Sequence, residues 1–256
     1  RVIGSISLQG GRIDDLSLKD YRVSIAPDAE IVRMLKPVGE AGAYYALYGW
    51  APGAGLTPDD VPGPNTEWRL DGGETLGMDS PVTLAWDNGK GLTFRREIAV
   101  DADYMFTVTQ TVENASGGTV GLAPYGILAR HGEPADRKKF FILHEGVVSM
   151  ADGELTETDY NDMPDFDFEA REGARAEVHQ VQENGWIGFT DHYWMATLIP
   201  GDRPFRSTAK YYPNPDIYQT ETVLETVEAA PGETVSVETQ LFAGAKEGET
   251  IKAYED

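Results

Sequence analysis

Residues 185–200 read "GWIGFTDHYWMATLIP", the densest aromatic stretch in the chain. From Trp186, a period of two puts Trp186, Gly188 and Thr190 on one face and Ile187, Phe189 and Asp191 on the other, the alternation of a β-strand. The following "YWMATLIP" is almost continuously apolar, as expected of a strand buried on both faces. Asp191 and His192 fall at the joint between the two runs, where an aspartate can hydrogen-bond a turning backbone. The same pair would also suit proton transfer to a sugar held among aromatic rings. Aromatic-rich strands are more often core than site. The expectation is therefore strand, turn, strand, with Trp186, Ile187, Phe189, Trp194 and Leu198 mostly buried.

Outward from this stretch the β pattern continues. "YMFTVTQTV" (residues 104–112) alternates Tyr104, Phe106, Val108, Gln110 and Val112 against a Met/Thr face. "VTLAWDNGKGLTFRREIAV" (82–100) is two β-rich runs joined by Asn88-Gly89-Lys90-Gly91, whose glycines supply positive φ. "GVVSMADGELTETDY" repeats the device with Asp152-Gly153, and "ETVSVETQLFAG" follows a Pro231-Gly232 turn. Residues 51–64, "APGAGLTPDDVPGP", carry too many breakers for either element and belong on the surface. Helical patterning is confined to the last residues, "AKEGETIKAYED", where Ile251 and Tyr254 share one face and Gly244 ends the preceding strand. No linker or repeat divides the chain. Many short strands with turns throughout imply a large antiparallel sandwich.

Composition narrows the function. The 256 residues can bury a substantial core, and 41% hydrophobic with 25% charged residues is ordinary for a folded domain. Against 21 basic residues stand 43 acidic ones, a formal charge of −22. Such a surface repels phosphate backbones and anionic headgroups, so nucleic acid is excluded as a partner and a basic partner is favoured. Arg137-Lys138-Lys139 is the one local basic patch. The absence of cysteine removes disulfides and thiolate chemistry. No apolar run is long enough to span a bilayer. No signal-peptide pattern follows Arg1, so the expectation is an excised or mature form with any anchor outside it.

Catalytic motifs are near misses. His144-Glu145 opens as HExxH would, but the second histidine is missing. No nucleophile elbow occurs, and His131, His144, His179 and His192 are never at metal-ligand spacing. Asp159, Asp162, Asp165, Asp167 and Glu169 suggest calcium by their density, yet Met163 and Pro164 fall where a ligand and a turn glycine are needed. "DFDFE" alternates Phe166 and Phe168 with acids, and a solvated edge strand is the better reading. The residues thus offer no catalytic group, no cofactor site and no metal site.

The stretch at 185–200 also resembles the signature of the large periplasmic domain of the bacterial membrane protein insertase YidC. Gly185, Trp186, Ile187, Gly188, Asp191, Tyr193, Trp194, Ile199 and Pro200 match it in order, while His192 stands where the family usually has Lys or another polar residue. "GSISLQGGRIDDLSLKDY" resembles the family's first hairpin, with Gly10 and Gly11 at the turn and Leu18 and Tyr21 closing the unit. "TFRREIAVDADYMFTVTQTVEN" resembles its central strand pair, and "LFAGAKEGETIKAYED" its closing strand and helix. The likeness runs the length of the chain. It implies a twisted antiparallel β-supersandwich, galactose mutarotase-like, as a single periplasmic domain over 1–256 with 244–256 a short C-terminal helix leading to a membrane bundle. Signature residues Gly10, Gly11, Tyr21, Gly185, Trp186, Gly188, Asp191, Tyr193, Trp194 and Pro200 are then structural. The implied setting is the periplasm of a Gram-negative bacterium, with the membrane met only through absent transmembrane segments. The implied partners are Sec-translocon accessory subunits and client membrane proteins. The rival expectation is a carbohydrate-binding or mutarotase-like domain, which requires converging His and carboxylate groups in a concave face.

Overall fold

Turn glycines set the hairpin registers. Asp152 and Gly153 adopt positive φ (51° and 84°) and let Gly146–Ala151 fold back on Glu154–Asp159. Gly10 and Gly11 (φ 73° and 61°) turn strand Val2–Ile6 into Ile13–Arg22, and Asn88 to Gly91 join Val82–Asp87 to Leu92–Val100. A computed structural model describes residues 1–137 and 143–253, whose regular structure is nearly all antiparallel strand, with one short α-helix.

The strands form two sheets. The first runs, in spatial order, Val2–Ile6, Ile13–Arg22, Tyr44–Pro52, Val120–His131, Asp216–Leu224, Phe205–Pro213, Ala174–Val181 and Phe168–Glu169. Ile31–Leu35 and Val227–Ala229 pair off this path. The second runs Glu154–Asp159, Gly146–Ala151, Trp186–Thr190, Trp194–Ile199, Thr234–Ala245, Met105–Asn114, Leu92–Val100, Val82–Asp87 and Arg69–Gly72. Alternation sends Tyr44, Ala46, Tyr48 and Trp50 inward from one sheet to meet Phe94, Ile98, Val108, Phe189 and Leu198 from the other. Each such aliphatic or Phe side chain contributes about 1.5–3 kcal/mol by leaving water. The result is the twisted β-supersandwich expected from the sequence.

Several expectations change in detail. Trp186 and Trp194 are only half-buried: Trp186 faces outward from the second sheet with Met195, Thr197 and Ile199, whereas Trp194, in phase with the inward Ala196 and Leu198, stands at the first position of its strand against Tyr21. Strand Thr234–Ala245 runs straight through Gly244. A Cβ there would lie 2.2 Å from the Tyr104 ring, so this glycine admits an aromatic neighbour and does not end the strand. The helix occupies Gly248–Ala253 and Ile251 lines a surface groove shared with Met105, Trp186 and Phe242, while Tyr254 lies outside the described residues. The 51–64 loop holds one 3-10 turn, Pro58–Asp60, and buries Asp60 and Val61. "DFDFE" shrinks to the two-residue edge strand Phe168–Glu169, since Phe166 packs against the core while Phe168 is exposed.

Candidate functional site

Asp191 follows strand Trp186–Thr190 of the second sheet and turns inward. Its Oδ2 accepts from Arg130 at 2.6 Å and its Oδ1 from the Tyr160 hydroxyl at 3.0 Å. Arg130 belongs to the first sheet, so the pair crosses the gap between sheets. The guanidinium also donates to the Tyr160 oxygen at 3.0 Å and lies 4.3 Å over the Tyr44 ring. Burial works against the Arg130 cation, but Tyr160 and Asp191 more than offset it and hold its pKa above the ordinary value. Burial, reinforced by Asp191, pushes the Tyr160 phenol well up. Lys246 closes the turn from outside, donating to Thr190 Oγ1 at 3.0 Å and to the Asp191 carbonyl. The side chain of Asp191 was expected to bond the turning backbone; it binds the opposite sheet instead. With both oxygens engaged and the residue buried, it offers no open base to a substrate. The His192 ring lies edge-on to Tyr193, 4.0 Å between centroids.

Four further signature residues gather at two other places. Tyr21 packs edge-on against Trp194 at 5.1 Å, joining the first hairpin to the aromatic stretch. The Tyr21 hydroxyl, Arg1 and the Tyr104 hydroxyl all donate to Glu247 Oε1, and Arg1 stacks 4.5 Å over Tyr104. The Arg1 hydrogen bond, with help from Tyr21 and Thr250, pulls the Glu247 carboxyl down to about 2. At the other place, Gly10 and Gly11 present carbonyls to the fully buried Arg96 at 3.2 and 3.1 Å, and Tyr48 supplies a third at 2.7 Å. Burial pushes the Arg96 guanidinium down to about 10. Gly188 has backbone where a Cβ would go, 1.9 Å from the Ala196 carbonyl oxygen. Gly185 fits against Val181 and Phe205, Pro200 is buried, and Tyr193 stands exposed. Arg130, Tyr160, Arg96 and Glu247 were not singled out by sequence. A lone arginine in the apolar strand "VGLAPYGILARH" is the signal that marks Arg130.

The outward face of the first sheet carries polar and titratable side chains. Register places Tyr45, Leu47, Tyr125, Ile127, Glu221, Thr208, Lys210 and Arg206 on it. A cleft of about 410 Å³ opens at one end, lined by Arg171, Gln180, Arg206 and Val223 among others. Glu225 is the carboxylate in its lining, and beside it two further carboxylates are paired: Glu172 contacts Lys210 at 2.7 Å and Arg206 at 3.3 Å, and Lys210 also reaches Glu221 at 3.3 Å. Burial pushes the Glu221 carboxyl up against the pull of Lys210. His131 on this face pairs with the Tyr45 hydroxyl at 3.1 Å, and burial pushes its pKa down. His131 faces Ile217 and Ile127 faces Glu221, four residues apart along one strand, or about 13 Å at 3.3 Å per residue. That separation is too long for a shared proton. Among the described residues no cluster of His, Asp and Glu could hold a metal ion, and no helix is long and apolar enough to cross a membrane. Of the basic patch, Arg137 is paired with Glu133 and Asp159, while Lys138 and Lys139 lie outside the described residues.

This two-sheet arrangement is the galactose mutarotase-like supersandwich. A galactose mutarotase related enzyme from Lactobacillus acidophilus superposes with a TM-score of 0.58 at 10% identity, covering 93% of each chain. A galactose mutarotase-like protein from Lactobacillus casei gives 0.51 at 12% identity over 94% of this chain and 96% of that one. At such identities the likeness concerns the fold alone. Sequence gives the family: the YidC periplasmic domain model matches residues 1–256, and the chain belongs to that family. Relatives include the membrane protein insertases YidC of Ruegeria sp. (strain TM1040), 64% identical over 99% of this chain, and of Ruegeria pomeroyi, 65% identical over 100%. The chain spans 42% and 43% of those proteins, less than half of either.

Proposed function

We propose that residues 1–256 act as one non-catalytic unit on the periplasmic side of the inner membrane. There they assist membrane protein insertion through contacts with Sec-translocon subunits or client segments. The observation that carries this reading is the match of the whole chain to the periplasmic domain family, with insertases among its relatives. In this reading Gly10, Gly11, Tyr21, Gly185, Trp186, Gly188, Asp191, Tyr193, Trp194 and Pro200 hold the sandwich and its termini in place. The paired Glu172 and Glu221 and the separation of His131 from Glu221 support a binding face over a proton-transfer site.

The rival is a mutarotase-like sugar domain, favoured only by the fold of its structural neighbours, and fold alone is weak warrant for function. The test has two arms. Photo-crosslinkers placed at Gln180 and Val223 in the full-length membrane-embedded protein should capture translocon subunits or nascent clients. Anomer exchange of simple hexoses should stay at the uncatalysed rate. Measurable exchange would overturn the reading in favour of its rival.

A further inference from the structure

The first sheet begins with an open edge. Strand Val2–Ile6 bonds Ile13–Arg22 on one side, and among the described residues nothing pairs with its other side. Arg1 is tied to Asp20, Asp103 and Glu247, so the strand is fixed at its start. Across the mouth of the sandwich lies Arg69–Gly72, the edge of the second sheet. Between the two edges runs an apolar groove of about 410 Å³ floored by Ile13, Leu16, Val82, Leu84 and Phe106. Its lips are exposed hydrophobics: Ile3 at 56%, Leu8 at 45% and Leu70 at 46%.

An unpaired strand edge recognises extended backbone, because only a strand offers donors and acceptors at the matching spacing. A strand added to Val2–Ile6 would send alternate side chains onto the groove floor and the others outward. The floor therefore selects apolar residues at every second position. Charge selects the rest. Glu74 lines the groove and Asp79 follows on the same loop, Asp15 beside them is shared with Arg33 at 3.2 Å, and the chain carries −22 overall. Two copies would repel each other at this edge, whereas Lys or Arg on the outward face of an incoming strand would be attracted.

We propose that this edge and groove form a strand-accepting surface for an extended protein segment with alternating apolar and basic residues. The inference deepens the function proposed above by naming a surface and a partner chemistry, and it rests on that reading only for the source of the segment.

The probe is a fluorescent peptide, Lys-Val-Lys-Val-Lys-Val-Lys, titrated into the chain at physiological salt and read by anisotropy. Its permuted twin, Lys-Lys-Val-Val-Val-Lys-Lys, has the same charge without the alternation. The alternating peptide should bind roughly tenfold tighter, and Ile3→Lys combined with Leu70→Lys should weaken it by about as much through like-charge contacts. Both replaced residues are exposed, so thermal melting should be unchanged. Should the variant melt early, amide exchange on the unmodified chain decides: bound peptide must slow exchange in Val2–Ile6. Equal binding of the two peptides would mean charge attraction alone and overturn the proposal. So would an absent footprint on Val2–Ile6, or a chain that dimerises through this edge. Peptide binding is read in solution and membrane insertion in cells, so the failure of one is distinguishable from the failure of the other.

Discussion

Replacing Asp191 with alanine removes the acceptor for two groups at once, Arg130 at 2.6 Å and Tyr160 at 3.0 Å. The side chains of Arg130 and Asp191 are 13% and 10% exposed, so the orphaned guanidinium cannot recover its hydration without opening the sandwich. Breaking a buried pair on one side costs about 3–5 kcal/mol, much of it the penalty of the unpaired charge. For a chain of this size that corresponds to a fall of roughly 6–20 °C in the melting midpoint. Asp191→Asn keeps an acceptor oxygen while losing the charge, so its cost should be smaller, about 1.5–3 kcal/mol. Removing both charges with Arg130→Met and Asp191→Leu should restore only part of the loss, because the apolar pair escapes desolvation while the buried Tyr160 hydroxyl loses both its partners. Urea titration of the four proteins, with the denaturant slope checked for constancy, measures all of this. An Asp191→Ala variant within about 0.5 kcal/mol of the parent, the range of an ordinary surface change, would refute the staple between the sheets. Loss of function in that stable variant would instead revive proton transfer at Asp191.

Three further outcomes are expected. Gly188→Ala should cost about 2–3 kcal/mol through overpacking against the Ala196 carbonyl, whereas Gly118→Ala, with open space around it, should be near neutral in the same denaturation assay. The carboxyl of Glu247 is held at about 2 against an unfolded value of 4.5, so its contribution is complete above pH 4.5 and fades as pH falls toward 2. Glu247→Gln should flatten that acid limb in a pH series of thermal melts; an unchanged limb would show that other carboxylates carry it. Trp194→Ala, half-buried against Tyr21, should cost about 2 kcal/mol by denaturation, below the range for a fully buried tryptophan, and Tyr21→Ala should be strongly non-additive with it.

The hairpins were readable from local chemistry, because a positive-φ pair such as Asp152-Gly153 fixes its own strands. The strand–turn–strand at 186–199 was readable from periodicity and from its likeness to a known signature. Arg130 was not, since its partner stands 61 residues away and nothing local states which sheet a buried charge will meet. Periodicity also identifies a face without saying whether that face is covered, which is why Trp186 was expected to be more deeply buried, and it does not say where along a strand the cover begins, which is why Trp194 was. Gly244 misled for a related reason. A glycine required by a ring from another strand looks in sequence like one that stops its own. On the outward face of the first sheet, sequence could rule out metal spacing among the histidines, but the neutralisation of Glu172 and Glu221 exists only after folding.

Arg1 and Glu247 are 246 positions apart yet joined by an ion pair, with Tyr21 and Tyr104 bonded to the same carboxylate. Arg1 and the segment at Glu247 are therefore neighbours, held together by this one carboxylate cluster. A host chain carrying such a body would find its flanking segments as close together as if a short turn joined them, the geometry in which insertions and circular permutations are tolerated. Tension applied between Arg1 and Glu247 would load that cluster first.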